Sequence, residues 1–203
     1  RIMKIGKIVN IEVDGQTIAA SFIGEGAFAK AYRVNDTVYL FCADGDTSKE
    51  IYSQLEDYPY LPTVENLGYA NDLPNDETRV YSMPFYNKLM AKHKTAWKQY
   101  KLLQQIWNDA YSEVQYENRG TRVYRIAYLI NQRITDTVQD SNDFPQDFKD
   151  SLEAFNSMIH NYGDEFMMEF PLKNLSVDAN GNLILRDCVF NSKRQHEMNE
   201  ERK

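Results

Sequence analysis

The stretch "NLSVDANGNLILRD", residues 174–187, decides how the rest of the chain is interpreted. Apolar side chains alternate on both sides of its centre, which is typical of two short strands. Asn180 and Gly181 at the centre both tolerate positive φ, so they predict a two-residue type I′ turn. Because paired strands bring the ends of a hairpin together, Asn174 and Asp187 are predicted to be neighbours.

Composition and charge narrow the class of protein. The 203 residues are 42% hydrophobic, which is enough for a packed core, and no apolar run approaches a membrane span. The net charge of −7 disfavours nucleic acid as a partner, although residues 122–128 interleave Arg with Tyr. Cys42 and Cys188 form no C-x-x-C pair, so neither a disulfide framework nor a zinc site is expected. We expect a cytoplasmic protein that has no membrane partner.

Residues 1–86 read as a β-rich segment with one helix. Short alternating runs are separated by Asp-Gly at 14–15 and Asn-Asp at 35–36, which are turn signals. Thr47 followed by Glu50 predicts a capping box at the start of the helix. Further strands are predicted after the helix, up to residue 86.

Residues 87–203 read as mainly helical. Apolar residues recur at helical spacing over 87–115, 120–138 and 145–163. The hairpin follows these helices, and residues 191–203 read as a polar tail. The predicted fold class is therefore α+β.

A glycine-rich stretch, "IGEGAFAKAY" at residues 23–32, lies between two predicted strands. Gly24 and Gly26 allow the backbone of a turn to approach another group closely, and amides in such turns bind phosphates. A plain β-turn is the alternative. The stretch is neither a P-loop nor a Rossmann fingerprint, because no Gly-Lys-Ser/Thr follows and the next element is a strand.

The order of these features resembles the protein-kinase family, in particular the small early serine/threonine kinases of lytic podophages. The hairpin resembles the segment from the catalytic-loop Asn to the Asp of the D-F-G motif, with the same interval of 13 residues. The resemblance implies a two-lobed protein-kinase-like fold. Residues 1–86 would be the antiparallel β small lobe, and residues 87–203 would be a reduced helical large lobe. Only 16 residues follow Asp187, so the peptide-docking helices of the family are not expected.

The resemblance also implies ATP and Mg²⁺ as cofactors. Asn174 and Asp187 would be the metal ligands, since Mg²⁺ takes oxygen ligands and bridges them to ATP phosphates. Gly24 and Gly26 would cover the phosphates. Glu50, on the first helix, would pair with the lysine that contacts the phosphates.

Three positions would contact or border adenine. Met83 would be the gatekeeper, although plain core packing explains a Met there equally well. The carbonyl of Pro84 and the backbone of Tyr86 would face the base. Lys173 would lie near the transferring phosphate, with a solvated surface Lys as the alternative.

Several residues depart from the family pattern. Leu40 stands where the third strand should carry the phosphate-contacting Lys, and strand alternation predicts that the nearby Lys30 faces outward. Glu169 replaces the catalytic Asp, which displaces the carboxylate by about one bond length. Met167 replaces the His of the H-R-D motif, and Val189 replaces the Gly of D-F-G.

These departures favour a pseudokinase that binds and modulates another protein, implied by the resemblance to be a host protein in host takeover. The alternative is an atypical ATP-dependent serine/threonine kinase, phage-encoded, with Glu169 as base and metal on Asn174 and Asp187. A third hypothesis is an acidic inhibitor that mimics nucleic acid. It requires carboxylates clustered in one stripe.

Overall fold

The chain divides into two compact units of a mixed α+β structure. This computed structural model describes residues 3–26, 29–43, 47–70 and 78–201. The first unit contains residues 1–56 and 63–85, and the second contains 57–62 and 86–203. The α+β class is confirmed. The change between units after Phe85 lies one residue before the predicted boundary, while residues 57–62, assigned to the first segment from sequence, pack with the second unit.

The first unit is built on a six-stranded antiparallel sheet and one short helix. Its elements are β1 Ile8–Val13, β2 Gln16–Glu25, β3 Ala29–Val34, β4 Thr37–Cys42, α1 Ser48–Ser53, β5 Glu65–Tyr69 and β6 Arg79–Pro84. The strand order is β1-β2-β3-β4-β6-β5. Asp14 and Gly15 both have positive φ, 50° and 71°, as the type I′ connection of β1 to β2 requires.

Both faces of this sheet carry apolar side chains. On β4, Val38, Leu40 and Cys42 are buried on one face, as the alternation predicted. A separate apolar cluster packs around the first three strands; its buried members are Ile11, Val13, Ala20, Phe22 and Tyr32. Helix α1 adds Ile51 and Tyr52 to the core. For function, the relevant residue is Leu40, whose apolar side chain belongs to the core.

The predicted capping box at α1 is wrong. Thr47 adopts a helical conformation, with φ −85° and ψ −10°, and its side chain makes no cap hydrogen bond. A side-chain cap requires an extended residue at that position. Glu50 is therefore not turned back to the helix start, and its carboxylate has a different partner, described below.

The second unit contains the helices and three short strand pairings. Its elements are β7 Asn87–Lys88, α2 Lys94–Glu117, a 3₁₀ turn Val123–Arg125, α3 Ala127–Asp140, α4 Gln146–Tyr162, β8 Phe166–Met168, a 3₁₀ turn Leu172–Asn174, β9 Ser176–Val177, β10 Leu183–Ile184, β11 Val189–Asn191 and α5 Ser192–Glu201. β7 and β10 flank β9, and β11 pairs with β8.

Helices α3 and α4 each bury one apolar face in the core of this unit. Their fully buried side chains recur at helical spacing: Ile130, Ile134 and Val138 on α3, and Phe148, Leu152, Phe155 and Ile159 on α4. Pro145 precedes α4 and Gly163 follows it, as predicted. No helix within the described ranges is both long and apolar enough to cross a membrane.

Two other predictions for this unit are wrong in detail. Helix α2 begins at Lys94 and not at residue 87, because residues 87–88 pair with β9 as a strand. The polar tail is the helix α5, whose sequence lacks an apolar period. Its first residue is fixed: the amide and hydroxyl of Ser192 both donate to the carbonyl of Glu165. Burial at this one residue, rather than an apolar face, anchors the helix.

The hairpin forms with a longer turn than predicted. Val177 faces Leu183 across the strands, and of the turn residues only Gly181 has positive φ, 82°. The type I′ turn, which needs positive φ at both central residues, is therefore absent. The carboxylate of Asp178 accepts hydrogen bonds from the amides of Asn180 and Asn182, at 2.8 and 2.9 Å. These bonds stabilise a wider loop.

Candidate functional site

The hairpin brings three of the predicted site residues of the second unit together. The amide of Asp187 donates to the carbonyl of Asn174 at 3.1 Å. The side-chain amide of Asn174 donates to Oε1 of Glu169 at 3.2 Å. Glu169 is fixed by its own backbone, since its amide donates to the carbonyl of Cys188 at 3.0 Å. Two carboxylates and one amide thus form a cluster, named here the Glu169 cluster, which consists of Glu169, Asn174 and Asp187.

The strand that leads into this cluster is hydrogen-bonded on both edges. One edge of β8 pairs with β11. On the other edge, Nδ2 of Asn131 donates to the carbonyl of Phe166 and Oδ1 of Asn131 accepts from the amide of Met168, both at 2.8 Å. Asn131 is only 2% exposed. The buried side-chain amide of Asn131 therefore takes the place of a neighbouring strand. Its contact with Met168 lies one residue before Glu169.

Helix α2 fixes the segment that carries Glu169. The indole nitrogen of Trp107 donates to the carbonyl of Met168 at 2.7 Å, and Nε2 of Gln104 donates to the carbonyl of Phe170 at 3.3 Å. The carbonyls on both sides of Glu169 thus have side-chain donors. No local pattern in the sequence predicted these supporting residues. The one recognisable feature is Asn131, a polar residue beside the apolar positions of a helix pattern.

The far side of the cluster is bridged by an arginine. Arg186 donates to the carbonyl of Lys173 at 2.6 Å and to the hydroxyl of Ser176 at 2.9 Å. These bonds tie the start of the hairpin to its end. The side chain of Lys173 is exposed, and its charge acts on Glu169, so it lies near the cluster.

The cluster raises the pKa of Glu169 above that of an ordinary carboxyl. Burial is the largest cause, and the charge of Asp187 adds to it. The positive charge of Lys173 and the hydrogen bond from Asn174 oppose the shift. The neighbouring Cys188 is fully buried, which raises the pKa of its thiol, so this cysteine is not a reactive thiolate.

We expect Glu169→Gln to stabilise the protein above the pKa of Glu169. A raised carboxyl pKa means that the folded state binds the proton more tightly than the unfolded state. Stability is then lost as pH rises from the usual value, 4.5, through the folded pKa. Gln keeps the acceptor for Asn174 and removes the charge. The gain is roughly 1.4 kcal/mol for each unit by which the pKa is raised.

Urea unfolding of both proteins between pH 4 and pH 8, roughly the range that brackets a carboxyl titration, measures this effect. The variant should gain stability with rising pH relative to the wild type, and Glu56→Gln, at an exposed position, should not. A variant that is equally stable or less stable at neutral pH would contradict the electrostatic account of the site.

In the first unit, Glu50 is paired with an arginine. Nη1 of Arg79, on β6, lies 2.6 Å from Oε2 of Glu50, and both side chains are about one-third exposed, 38% and 33%. The guanidinium of Arg79 also lies over the ring of Tyr69, 5.5 Å from its centre. The sequence analysis missed Arg79 because no local pattern links two residues 29 positions apart.

Leu40, and not a lysine, stands at the β4 position where the resemblance predicts a phosphate-contacting lysine. Leu40 is 6% exposed and packs in the core. Lys30 is half-exposed, as predicted, and lies 3.8 Å from Glu25. Lys49, beside Glu50 on α1, is buried and donates to the hydroxyl of Ser48 at 3.4 Å. Glu50 forms its ion pair with Arg79 instead.

The two glycines of the glycine-rich stretch are not required by the fold of the first unit. Neither Gly24 nor Gly26 has positive φ. A Cβ added at Gly24 would meet nothing within 4 Å, and one added at Gly26 would meet only the carbonyl of Ala29, at 3.9 Å. Residues 27–28 of this stretch lie outside the described residues. The backbone geometry of the turn therefore does not explain why glycine stands at these two positions.

The positions expected to border adenine have different environments. Met83 is buried in β6 opposite Val38, which agrees with core packing. Pro84 ends β6 and is exposed, while Tyr86 belongs to the second unit and is half-buried. Adenine contact at these residues stays a prediction.

The donor atoms of the Glu169 cluster fit a hard divalent cation. The amide nitrogen of Asn174 donates to Glu169, which leaves its amide oxygen for a cation, and the charge of Asp187 acts on Glu169, so this carboxylate also lies near the cluster. Within the described residues, no group of three or more His, Cys, Asp or Glu side chains could hold a metal. Mg²⁺ would suit this set, because it is commonly held by one or two protein ligands, substrate phosphates and water.

Comparisons with known proteins do not assign the chain to a family. No protein-family model matches the chain, and no curated protein matches it. The functional argument therefore rests on the residues and their geometry.

Proposed function

We propose that the chain is a kinase-like regulatory protein, a pseudokinase that binds and modulates another protein. Its partner would be a host protein in the cytoplasm of a host cell, as the resemblance implies. A two-lobed protein-kinase-like arrangement would present the Glu169 cluster as a nucleotide-binding remnant. The proposal extends to binding of Mg²⁺ and ATP but not to efficient phosphoryl transfer.

The pairing of Glu50 with Arg79 is the observation that carries this proposal. In a protein kinase, positioning of ATP depends on a strand lysine that bridges the helix glutamate and the phosphates. Here the corresponding strand position is the buried Leu40, and Arg79 already occupies the carboxylate of Glu50 at 2.6 Å. The glutamate is thus used within the first unit, and ATP would lack its usual orienting cation.

Nucleotide binding is supported by the Glu169 cluster. Asn174 and Asp187 would hold Mg²⁺, which would neutralise phosphate charge when bound. Gly24 and Gly26 support phosphate contact as well, because the fold of the first unit does not require glycine at either position. Both features remain useful to a regulatory protein whose conformation responds to ATP.

We expect Mg-ATP to raise the unfolding midpoint of the wild-type protein. A ligand that binds only the folded state stabilises it by about 2.7 kcal/mol at 100 times its dissociation constant. Asp187→Ala should reduce the shift strongly, because it removes the only charged ligand proposed for the metal. A thermal-shift titration with Mg-ATP, and with Mg²⁺ or ATP alone, measures this.

Asp109→Ala is the matched control, since it removes one carboxylate from an exposed position of α2. It should leave the Mg-ATP shift unchanged. A wild-type protein with no shift at saturating Mg-ATP, or a shift that Asp187→Ala leaves intact, would contradict nucleotide binding at the Glu169 cluster.

An atypical serine/threonine kinase is the second candidate, and one observation favours it. Glu169 has a raised pKa and lies beside Asn174 and Asp187, as a general base beside a metal site would. In that mechanism Glu169 would accept the proton of a substrate hydroxyl. Lys173 would then provide positive charge near the transferring phosphate.

The hypothesis of an acidic nucleic-acid mimic receives less support. Six of the 30 acidic residues are paired with Lys or Arg; they are Glu25, Asp36, Glu50, Glu113, Glu117 and Asp143. They are distributed over both units. A mimic of phosphates would need its charges exposed and unpaired.

A further inference from the structure

A basic and aromatic cluster lies on the second unit, away in sequence from the Glu169 cluster. Nη1 of Arg122 lies 3.3 Å from Nε2 of His196, on α5. The ring of His196 lies 5.7 Å from the ring of Tyr124, and the guanidinium of Arg125 lies 5.9 Å from the same tyrosine ring. These four residues, Arg122, Tyr124, Arg125 and His196, are named here the arginine patch.

The local fold brings the patch together. Backbone hydrogen bonds from Arg125 to Arg122 and from Ile126 to Val123 form the 3₁₀ turn that carries both arginines. Helix α5 brings His196 to this turn, and its first residue, Ser192, is fixed to the carbonyl of Glu165. The patch therefore joins Arg122 and His196, which are 74 positions apart in sequence, and both of its arginines are exposed.

Within the described residues, neither arginine of this turn has a carboxylate partner, whereas several other arginines do. Arg33, Arg79 and Arg133 each pair with an acidic side chain. Among the described residues, no acidic side chain pairs with Arg122 or Arg125. In a chain with 30 acidic and 23 basic residues, unpaired arginines side by side are unexpected.

Electrostatics at Tyr124 supports the same point. Desolvation is the largest single effect and raises the pKa of its phenol, but the hydrogen bonds and charges of Arg122 and Arg125 together lower the pKa overall. Both guanidinium charges therefore act at one half-buried tyrosine. Nearby, the guanidinium of Arg119 lies 4.0 Å from the ring centre of Tyr116, so a further exposed arginine rests on an aromatic face.

We propose that the arginine patch is a docking surface for an acidic segment of a partner protein. Arginine binds carboxylates through two parallel hydrogen bonds, and a tyrosine hydroxyl beside it adds a third donor. The half-buried rings of Tyr124 and His196 supply apolar contact to the peptide between its charges. This inference rests on the proposed regulatory function for its biological sense, but the surface binds independently of nucleotide.

An acidic peptide fits this surface better than a nucleic acid does. Non-specific nucleic-acid binding typically neutralises about 6–10 phosphates along an extended basic face. The patch offers two arginines and a histidine, and Glu197 follows His196 directly. The net charge of −7 opposes approach of a long polyanion more than that of a short segment with a few carboxylates.

Fluorescence anisotropy with a short labelled peptide of alternating Glu and Ser tests the proposal. The full chain is titrated at low salt without nucleotide, and the same peptide with Gln in place of Glu is the reference. Binding should need the Glu residues and should weaken with added salt. The double variant Arg122→Gln, Arg125→Gln should bind about tenfold more weakly, since each exposed ion pair contributes a factor of up to about five.

The matched control is Lys4→Gln, Lys7→Gln, which removes the same charge from exposed positions of the first unit. It should bind the Glu peptide like the wild type. Equal losses in both double variants, or no difference between Glu and Gln peptides, would overturn the proposal. Tighter Arg122-dependent binding of a single-stranded oligonucleotide of equal charge would overturn it too, in favour of a nucleic-acid surface.

The Mg-ATP titration separates this inference from the proposed function. The arginine double variant should keep the thermal shift of the wild type, because none of its changed residues belongs to the Glu169 cluster. If the double variant loses peptide binding but keeps the Mg-ATP shift, the result supports the arginine patch and does not bear on the nucleotide site. If the wild type shows no Mg-ATP shift, the result contradicts the nucleotide site and does not bear on the patch.

Discussion

Asn131→Ala should destabilise the protein by about 3 kcal/mol and displace the segment that carries Glu169. The side chain of Asn131 makes both hydrogen bonds on the open edge of β8, to Phe166 and Met168. Removal leaves a buried carbonyl and a buried amide unpaired, and each such group costs about 1–3 kcal/mol. No neighbouring strand can replace the lost partner, because the other edge of β8 already pairs with β11.

Urea unfolding measures the loss of stability, and tryptophan fluorescence reports the displacement. Trp107 donates to the carbonyl of Met168, so its emission responds when β8 moves. The measurement uses a Trp97→Phe background, which leaves Trp107 as the only tryptophan. Asn156→Ala is the control, because the Asn156 amide makes a single exposed bond, to Gln132 at 3.3 Å.

The control should lose less than about 0.5 kcal/mol and leave the emission of Trp107 unchanged. An Asn131→Ala protein as stable as the control would mean that β8 is not held by Asn131. A stable variant with altered emission would mean that β8 moves while water satisfies the freed groups, which would contradict the expected loss of stability. A variant that is as stable as the control and has unchanged emission would contradict the account of how Glu169 is positioned.

Sequence periodicity predicted the elements whose signals are local. Helix α4 was predicted from its apolar spacing with Pro145 before it and Gly163 after it, and the structure confirms these features. The alternation of β4 also placed Leu40 in the core. In both cases the signal lies within one element, so burial of one face is enough to produce it.

The hairpin shows where local signals fail. Asn180 and Gly181 are the residues of a type I′ turn, yet only Gly181 has positive φ. The carboxylate of Asp178 accepts two backbone amides and stabilises a wider loop. A side chain that competes for backbone hydrogen bonds changed the turn, although the pairing of the strands was predicted correctly.

The site depended on contacts that no local pattern contains. The proximity of Asn174 and Asp187 followed from the hairpin, but the pairing of Glu50 with Arg79 did not, because it joins α1 to β6. The capping-box motif even suggested another partner for Glu50. Arginine reaches partners across a sheet through a long side chain, so its pairing is set by tertiary structure rather than by spacing.

Helix α5 was missed for a different reason. Its residues are polar, so no apolar period marks a helix, and a polar segment without a period reads as a tail. The helix is anchored by Ser192 and by the proximity of His196 to Arg122. Both anchors are polar contacts with distant segments.

Phosphoryl transfer should be slower than that of an ordinary protein kinase by several powers of ten. A kinase contributes mainly positioning and electrostatic stabilisation, and each depends on groups placed within about 1 Å. In the proposed pseudokinase, Leu40 would take the place of the cation that orients the phosphates, and Arg79 occupies Glu50. Each loss would remove about a few kcal/mol of transition-state stabilisation, and every 1.36 kcal/mol is a factor of ten.

Under this proposal Glu169 would add a second defect to the same step. Its longer side chain would displace the base relative to an aspartate, and its carboxylate also accepts a hydrogen bond from Asn174 at 3.2 Å. The raised pKa would strengthen Glu169 as a base, but a stronger base at the wrong distance would not restore the geometry. A regulatory effect on a partner should accordingly survive Glu169→Ala and Asp187→Ala.

Transfer of labelled γ-phosphate from Mg-ATP is the most direct test of the pseudokinase proposal. The wild-type protein, Glu169→Ala and Asp187→Ala are incubated at equal concentration with generic protein substrates, and incorporation into substrate and into the chain itself is followed. We predict no incorporation above the background of the two variants. Turnover near the ordinary kinase range, roughly one per second or more, that either substitution abolishes would contradict the proposal and establish the chain as an active kinase.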